Sequence, residues 1–148
     1  MTTSVSGGCH CGNITLVFES NLAPDQIGVR ADQCSFCRKH GARTVTDPKG
    51  GVKITVRAAD DLIRYRFGLK TADYLVCGRC GVYVAAVLAE QGSSYATVNL
   101  NAFESSERFT RPPMSVSYDG ETETERRARR HEKWTPAILV IEGGVPPA

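Results

Sequence analysis

No apolar run in this chain approaches the roughly 20 residues that a membrane span requires. Its first residues, Met-Thr-Thr-Ser-Val-Ser-Gly-Gly, hold neither the basic region nor the apolar stretch of an export signal. Strong charge of one sign is missing too, because 18 Lys and Arg stand against 16 Asp and Glu, a net charge of +2. So weak a field does not concentrate nucleic acid or an anionic membrane. Internal repeats and low-complexity segments are also absent. These absences set the expectation of a soluble, cytoplasmic protein without a nucleic-acid or membrane partner.

What is present reads mainly as β-structure. Ile14, Leu16 and Phe18 alternate with Thr15 and Val17, and Val52, Ile54 and Val56 alternate with Lys53 and Thr55. That period of two marks half-buried strands. Segments 61–67, 73–77, 82–88, 94–100 and 137–141 read the same way, separated by clusters such as Thr-Asp-Pro-Lys-Gly-Gly. One helix is expected within 119–134: Thr122 precedes Glu125 by three positions, the spacing of a capping box, and acids come before bases as the helix dipole prefers. The run Arg126, Arg127, Arg129, Arg130 then reads as a solvated helix face. The ends, Met1–Ser6 and Gly143–Ala148, read as loose tails. A length of 148 residues suits one domain over 1–148, with a core of about 5–118 and a C-terminal helix and strand over about 119–142.

The six cysteines fall into three pairs: Cys9-His-Cys11-Gly, Cys34-Ser-Phe-Cys37 and Cys77-Gly-Arg-Cys80-Gly81. Without an export signal they belong to a reducing compartment, where paired cysteines favour metal over disulfides. Cys77 to Gly81 has the form of a zinc knuckle, in which Gly81 takes the positive φ that the tight turn demands. Two pairs make a closed site of four thiolates. Spacing alone leaves open which two of the three pairs combine.

The segments GGCHCGNITLVF, CSFCRKHGA and LVCGRCGVYV, in that order over residues 7–84, resemble the glutathione-dependent formaldehyde-activating and centromere protein V family. The resemblance implies a zinc-bearing β-tent fold of stacked antiparallel sheets with a short C-terminal helix. It also implies a structural zinc held by Cys9, Cys11, Cys77 and Cys80, and a second, catalytic zinc at the middle motif. There the family pattern is C-x-C-x-x-C, whereas the positions here read Asp32, Cys34 and Cys37. Asp with two thiolates keeps the charge of three thiolates, but oxygen is a harder ligand and its reach differs.

The implied activity is that of a zinc-dependent carbon-sulfur lyase or synthase, with glutathione as co-substrate and a thiol adduct of formaldehyde or another small aldehyde as its ligand. Arg38, Lys39 and Arg43 follow the motif and suit the carboxylates of a glutathione-like tripeptide. Ordinary solvent exposure accounts for each of them equally well. A non-catalytic zinc-binding module, with a degenerate second site, is the competing class. A redox dithiol at Cys34 and Cys37 is least supported, since β-rich surroundings supply no helix N-terminus in a βαβ setting. His10 is expected to point away from the ion between its flanking cysteines, His40 to lie at the surface or shuttle protons, and Asn99 and Asn101 to line a pocket or cap a turn.

Overall fold

The alternating segments form strands because each can turn its apolar side chains to one face. The computed structural model describes residues 3–145 and residue 147. Its strands are β1 (Thr3–Gly8), β2 (Ile14–Ser20), β3 (Arg30–Asp32), β4 (Thr44–Val45), β5 (Gly51–Val56) and β6 (Leu62–Tyr65). They continue with β7 (Asp73–Cys77), β8 (Tyr83–Glu90), β9 (Ser93–Asn99), β10 (Met114–Val116) and β11 (Thr135–Ile141). Two helices, α1 (Ser35–His40) and α2 (Glu123–Lys133), complete the chain together with short 3-10 turns.

The protein is mainly β with one principal helix, α2, near its C-terminus, as the sequence leads one to expect. Pairing is mostly antiparallel, in the hairpins β1-β2, β6-β7, β7-β8 and β8-β9. Two pairings depart from this and are parallel, β11 with β5 and β10 with β3. Strand β11 joins the two halves of the sheet: Thr135 and Pro136 pair with β9, and Ala137 to Ile141 pair with β5. One face of β2 and β5 is buried, with Ile14, Leu16 and Phe18 opposite Val56, Ile54 and Val52 in register, and β8 is buried on both faces from Tyr83 to Leu88.

The N-terminal tail expectation fails. Thr3 to Gly8 pair residue by residue with β2, because Val5 alternates inward and is only 2% exposed. Gly7 then lies so close to the Ala102 carbonyl that a Cβ would sit 2.3 Å from the oxygen, so this approach requires glycine. At the other end Gly143 bridges Ala58, and the Gly144 amide donates to the Arg57 carbonyl at 2.9 Å.

Helix α2 starts at the expected capping box: the Glu125 amide donates to Thr122 Oγ1 at 3.1 Å, and the Thr122 amide donates to Glu125 Oε1 at 3.0 Å. Its arginines are not a solvated face. Arg126 and Arg129 both pair with Glu121, Arg127 pairs with Glu90 and Glu123, and Arg130 is 5% exposed. Tertiary packing makes the difference, because α2 docks its second half on the β8-β9 hairpin, with the His131 ring tilted against Tyr95 at 4.5 Å. Among the described residues no helix is long and apolar enough to cross a membrane.

Candidate metal centre

Two turns build the first cluster. The turn after β1 carries Cys9 and Cys11, and the turn between β7 and β8 carries Cys77 and Cys80. The Ile14 amide donates to Cys9 Sγ at 3.2 Å and the Arg79 amide to Cys77 Sγ at 3.4 Å, as expected of turns shaped to hold thiolates. Gly81 has φ of 81°, and its amide donates to the Cys77 carbonyl at 2.8 Å, so the left-handed geometry read from the motif is present.

The four sulfurs lie within 4.8 Å of one another, with Cys9 Sγ 3.8 Å from Cys11 Sγ and Cys11 Sγ 3.5 Å from Cys77 Sγ. Tetrahedral zinc with bonds of about 2.3 Å spaces its sulfurs about 3.8 Å apart, so the donor set fits that ion. The fold thereby answers the question that spacing left open: the first and third pairs meet. Burial pushes the Cys77 thiol up to about 12, whereas the Cys11 and Val82 amides overcome burial and draw Cys80 down to about 6. Binding of a divalent cation must therefore displace protons held mainly on the buried sulfurs.

The middle pair stands apart with Asp32. Strand β3 ends at Asp32, Cys34 caps α1, and Cys37 lies one turn along that helix, buried. One ligand atom from each of the three lies within 4.8 Å of the others. The Cys37 amide donates to Cys34 Sγ at 3.3 Å. Hydrogen bonding from the Cys37 thiol, with help from the Cys37 and Phe36 amides, brings Cys34 down to about 7. Cys37 is pushed the other way by the same bond and by burial.

Here the sequence reading needs a correction: a helix does begin at Cys34. It is short, and β3 and β4 on either side of it pair antiparallel, so the setting is not a βαβ crossover. The local reason is the Cys34 cap, which satisfies an amide of the first turn.

The surrounding groups differ from those expected beside the motif. Arg38 and Lys39 lie exposed on the last turn of α1, and their side chains make no hydrogen bond or ion pair among the described residues. The Arg43 guanidinium is engaged, donating to Asn101 Oδ1 at 2.8 Å. Asn99 and Asn101 act as turn caps: Asn99 Oδ1 accepts from the Asn101 amide at 3.1 Å, and Asn101 Nδ2 donates to the Gly41 carbonyl at 3.0 Å. His10 is exposed, and His40 is exposed with its ring tilted against Phe36 at 4.4 Å.

What the sequence reading missed is an aromatic wall. Phe36 on α1 packs against Tyr74 and Tyr83, each with ring centroids at 4.9 Å, and against Phe67 at 5.4 Å. These rings shield Cys37 from water on one side. Tyr74 and Tyr83 also line a cavity of about 30 Å³ that reaches Asp32 and Cys37 from beneath α2. No local pattern announces these residues, because their neighbours in the site lie tens of positions away in the chain.

A mainly β fold with one four-cysteine cluster and a second cluster of Asp32, Cys34 and Cys37 defines a class of small β proteins with two groups able to hold a metal. The model of one family, described as glutathione-dependent formaldehyde-activating enzyme, matches residues 4–119, and the chain belongs to that family. A crystal structure of a protein from Rhodobacter sphaeroides is similar as well, at 29% identity and a TM-score of 0.56, covering 75% of this chain and 99% of that one. Membership supports a glutathione-dependent formaldehyde-activating type of function at the level of the family, and both cysteine clusters are able to hold a metal. The matched residues end before α2 begins.

Proposed function

We propose that this protein is a zinc-dependent carbon-sulfur lyase or synthase that makes and breaks the adduct of glutathione with formaldehyde or a related small aldehyde. One observation carries the reading: Asp32, Cys34 and Cys37 converge within 4.8 Å, and Asp32 and Cys37 line a cavity that gives a ligand room beside them. Cys9, Cys11, Cys77 and Cys80 would hold the structural zinc, and Asp32, Cys34 and Cys37 the second. An ion at the second site would supply Lewis acidity to a substrate thiol in its fourth position.

The chain's own residues then orient and protect. Cys34 is already the more acidic of its pair and needs the smaller proton displacement to serve as a thiolate. The Cys34 amide holds the Asp32 carboxylate in place at 2.9 Å. Phe36, Tyr74 and Tyr83 exclude water from the Cys37 side. In the forward direction the thiol sulfur bonds to the aldehyde carbon, the carbonyl π pair moves to oxygen, and the thiol proton ends on that oxygen. The reverse direction breaks the carbon-sulfur bond and returns the proton.

The rival reading is a non-catalytic zinc-binding module, and Asp32 in a position that the family fills with cysteine is what favours it. Metal analysis of the purified protein together with exchange NMR of formaldehyde and glutathione separates the two. Two zinc ions per chain with accelerated exchange support the enzyme, and a fall to one zinc with loss of acceleration in Cys34→Ser supports the site. A single zinc and uncatalysed exchange in the unaltered protein select the module. Localisation in the cytoplasm fits a glutathione-using activity and is part of the same proposal.

A further inference from the structure

The cavity beneath α2 has chemistry of its own. Its wall includes Asp32 and Cys37 from the second cluster, Tyr83 from β8, Thr97 from β9, and Arg130 and Trp134 from the C-terminal helix region. Three buried side-chain atoms among the described residues have no hydrogen-bond partner: Tyr83 Oη, Thr97 Oγ1 and Arg130 Nε. All three residues line this one cavity, and they are 2%, 8% and 5% exposed. Buried polar groups are nearly always paired, so three orphans around one void point to something that enters it.

The orphans also say what enters. Arg130 Nε can only donate, and the Tyr83 and Thr97 hydroxyls can donate as well, so an acceptor is the one kind of group that satisfies all three. Arg130 donates to Thr71 Oγ1 at 2.6 Å and lies over the Trp134 ring at 4.5 Å, but it forms no ion pair among the described residues. The other two arginines of the cavity are engaged differently, Arg129 by Glu121 and Arg30 by Thr46 Oγ1. The Asp32 carboxylate shares the cavity wall but does not bond to Arg130, so this buried guanidinium keeps the capacity to bind a further anion. The volume, about 30 Å³, suits about two waters or one planar carboxylate.

We propose that this cavity is a carboxylate subsite, in which Arg130, Tyr83 and Thr97 hold the carboxylate of a substrate whose reacting group lies at Asp32, Cys34 and Cys37. The proposal rests on the reading of that cluster as the place where substrate is held. It makes the substrate a carboxylate-bearing one, the carboxylate belonging either to the thiol or to a 2-oxo acid aldehyde. Arg130 lies on α2, past the residues matched by the family model, whereas Tyr83 and Thr97 lie within them. Arg130, Tyr83 and Thr97 are then specificity-determining residues.

Trp134 is the chain's single tryptophan and sits under the Arg130 guanidinium, so its fluorescence reports on the cavity. The zinc-loaded full chain is titrated with formate, glyoxylate and mercaptoacetate, and with the neutral isostere formamide. Saturable responses to the three carboxylates, none to formamide, and affinity at least 10-fold weaker in Arg130→Gln support the subsite. A stronger response to glyoxylate than to formate puts the carboxylate on the aldehyde partner, and a stronger response to mercaptoacetate puts it on the thiol. Equal affinity for formate and formamide overturns the proposal.

Should Arg130→Gln fail to fold, Tyr83→Phe carries the test, because the hydroxyl it removes has no protein partner to lose. Weaker formate binding at an unchanged or higher melting temperature supports the subsite, and unchanged formate binding overturns it. Zinc analysis keeps the two readings apart. Formate binding that persists in Cys34→Ser, with zinc down to one per chain, keeps the subsite whatever becomes of the second metal. Two zinc ions without charge-selective binding overturn the subsite and leave the metal reading standing. Loss of zinc in Arg130→Gln with formate binding intact in Tyr83→Phe assigns Arg130 to balancing the metal cluster, which also overturns it.

Discussion

Asp32 Oδ1 accepts a hydrogen bond from the Cys34 amide at 2.9 Å, which ties one carboxylate oxygen to the turn and aims the side chain at the two sulfurs. The second oxygen has no partner among the described residues. A carboxylate so placed can serve as third ligand in a position where the family pattern has a thiolate.

Asp32→Ala should therefore lower zinc affinity at the second site by at least about 10-fold, the scale seen when even supporting groups of a metal site are removed. Asp32→Cys should raise it, since thiolate is the softer donor. Competition with a chromophoric chelator measures both. Equal affinity in all three proteins would show that Asp32 does not reach the ion.

Cys77→Ser removes a buried thiol of the four-cysteine cluster, which under the proposed function holds the structural zinc. Zinc bound by thiolates contributes on the order of 10 kcal/mol to the folding of small domains, so the variant should lose that zinc and its cooperative thermal transition. Circular dichroism with metal analysis checks this. A cooperative transition at the original temperature would remove the cluster from its structural role.

Asn13 is fully buried between β2 and the segment after β5, and it pairs with Ala58 both ways: Nδ2 donates to the carbonyl at 3.3 Å and Oδ1 accepts from the amide at 3.0 Å. Asn13→Ala leaves both Ala58 groups buried without partners. Destabilisation of about 2–3 kcal/mol is expected in urea unfolding, with zinc content unchanged.

Glu121 accepts from both Arg129 and Arg126, and these guanidinium groups hold its carboxyl below the usual range. Because the folded value is the lower one, its stabilisation is complete above the unfolded carboxylate pKa of about 4.3 and is lost as pH falls through the folded value. Glu121→Gln should cost about 1 kcal/mol at neutral pH, a modest figure for partly exposed pairs. The difference from the unaltered protein should vanish in acid. A difference that stays constant from neutral to acid pH would assign it to packing rather than charge.

Much of the site's inventory is legible in the chain. Period-two alternation located β2 and β5, where one face is buried and the other is not, while β8 and the second half of β9 are buried on both faces and showed as β-rich apolar runs. Strands β3, β4 and β10 are two or three residues long, too short for any period to show. Helix α1 was hidden for a related reason: six residues carry no helical repeat, and its start is set by a cysteine cap rather than a Ser, Thr or Asp signal.

By itself, then, the sequence determined the donor types, the turns that pair them, and the capping box that starts α2, since each depends on residues a few positions apart. Only the tertiary structure decided that Cys9 and Cys11 meet Cys77 and Cys80, because packing of whole strands brings together turns whose cysteines, Cys11 and Cys77, are 66 positions apart. It likewise placed Arg130 in the cavity beside Asp32 and Cys37, a juxtaposition 98 residues apart for Asp32. Long-range contacts of this kind arise from packing whole elements, and no local spacing encodes them.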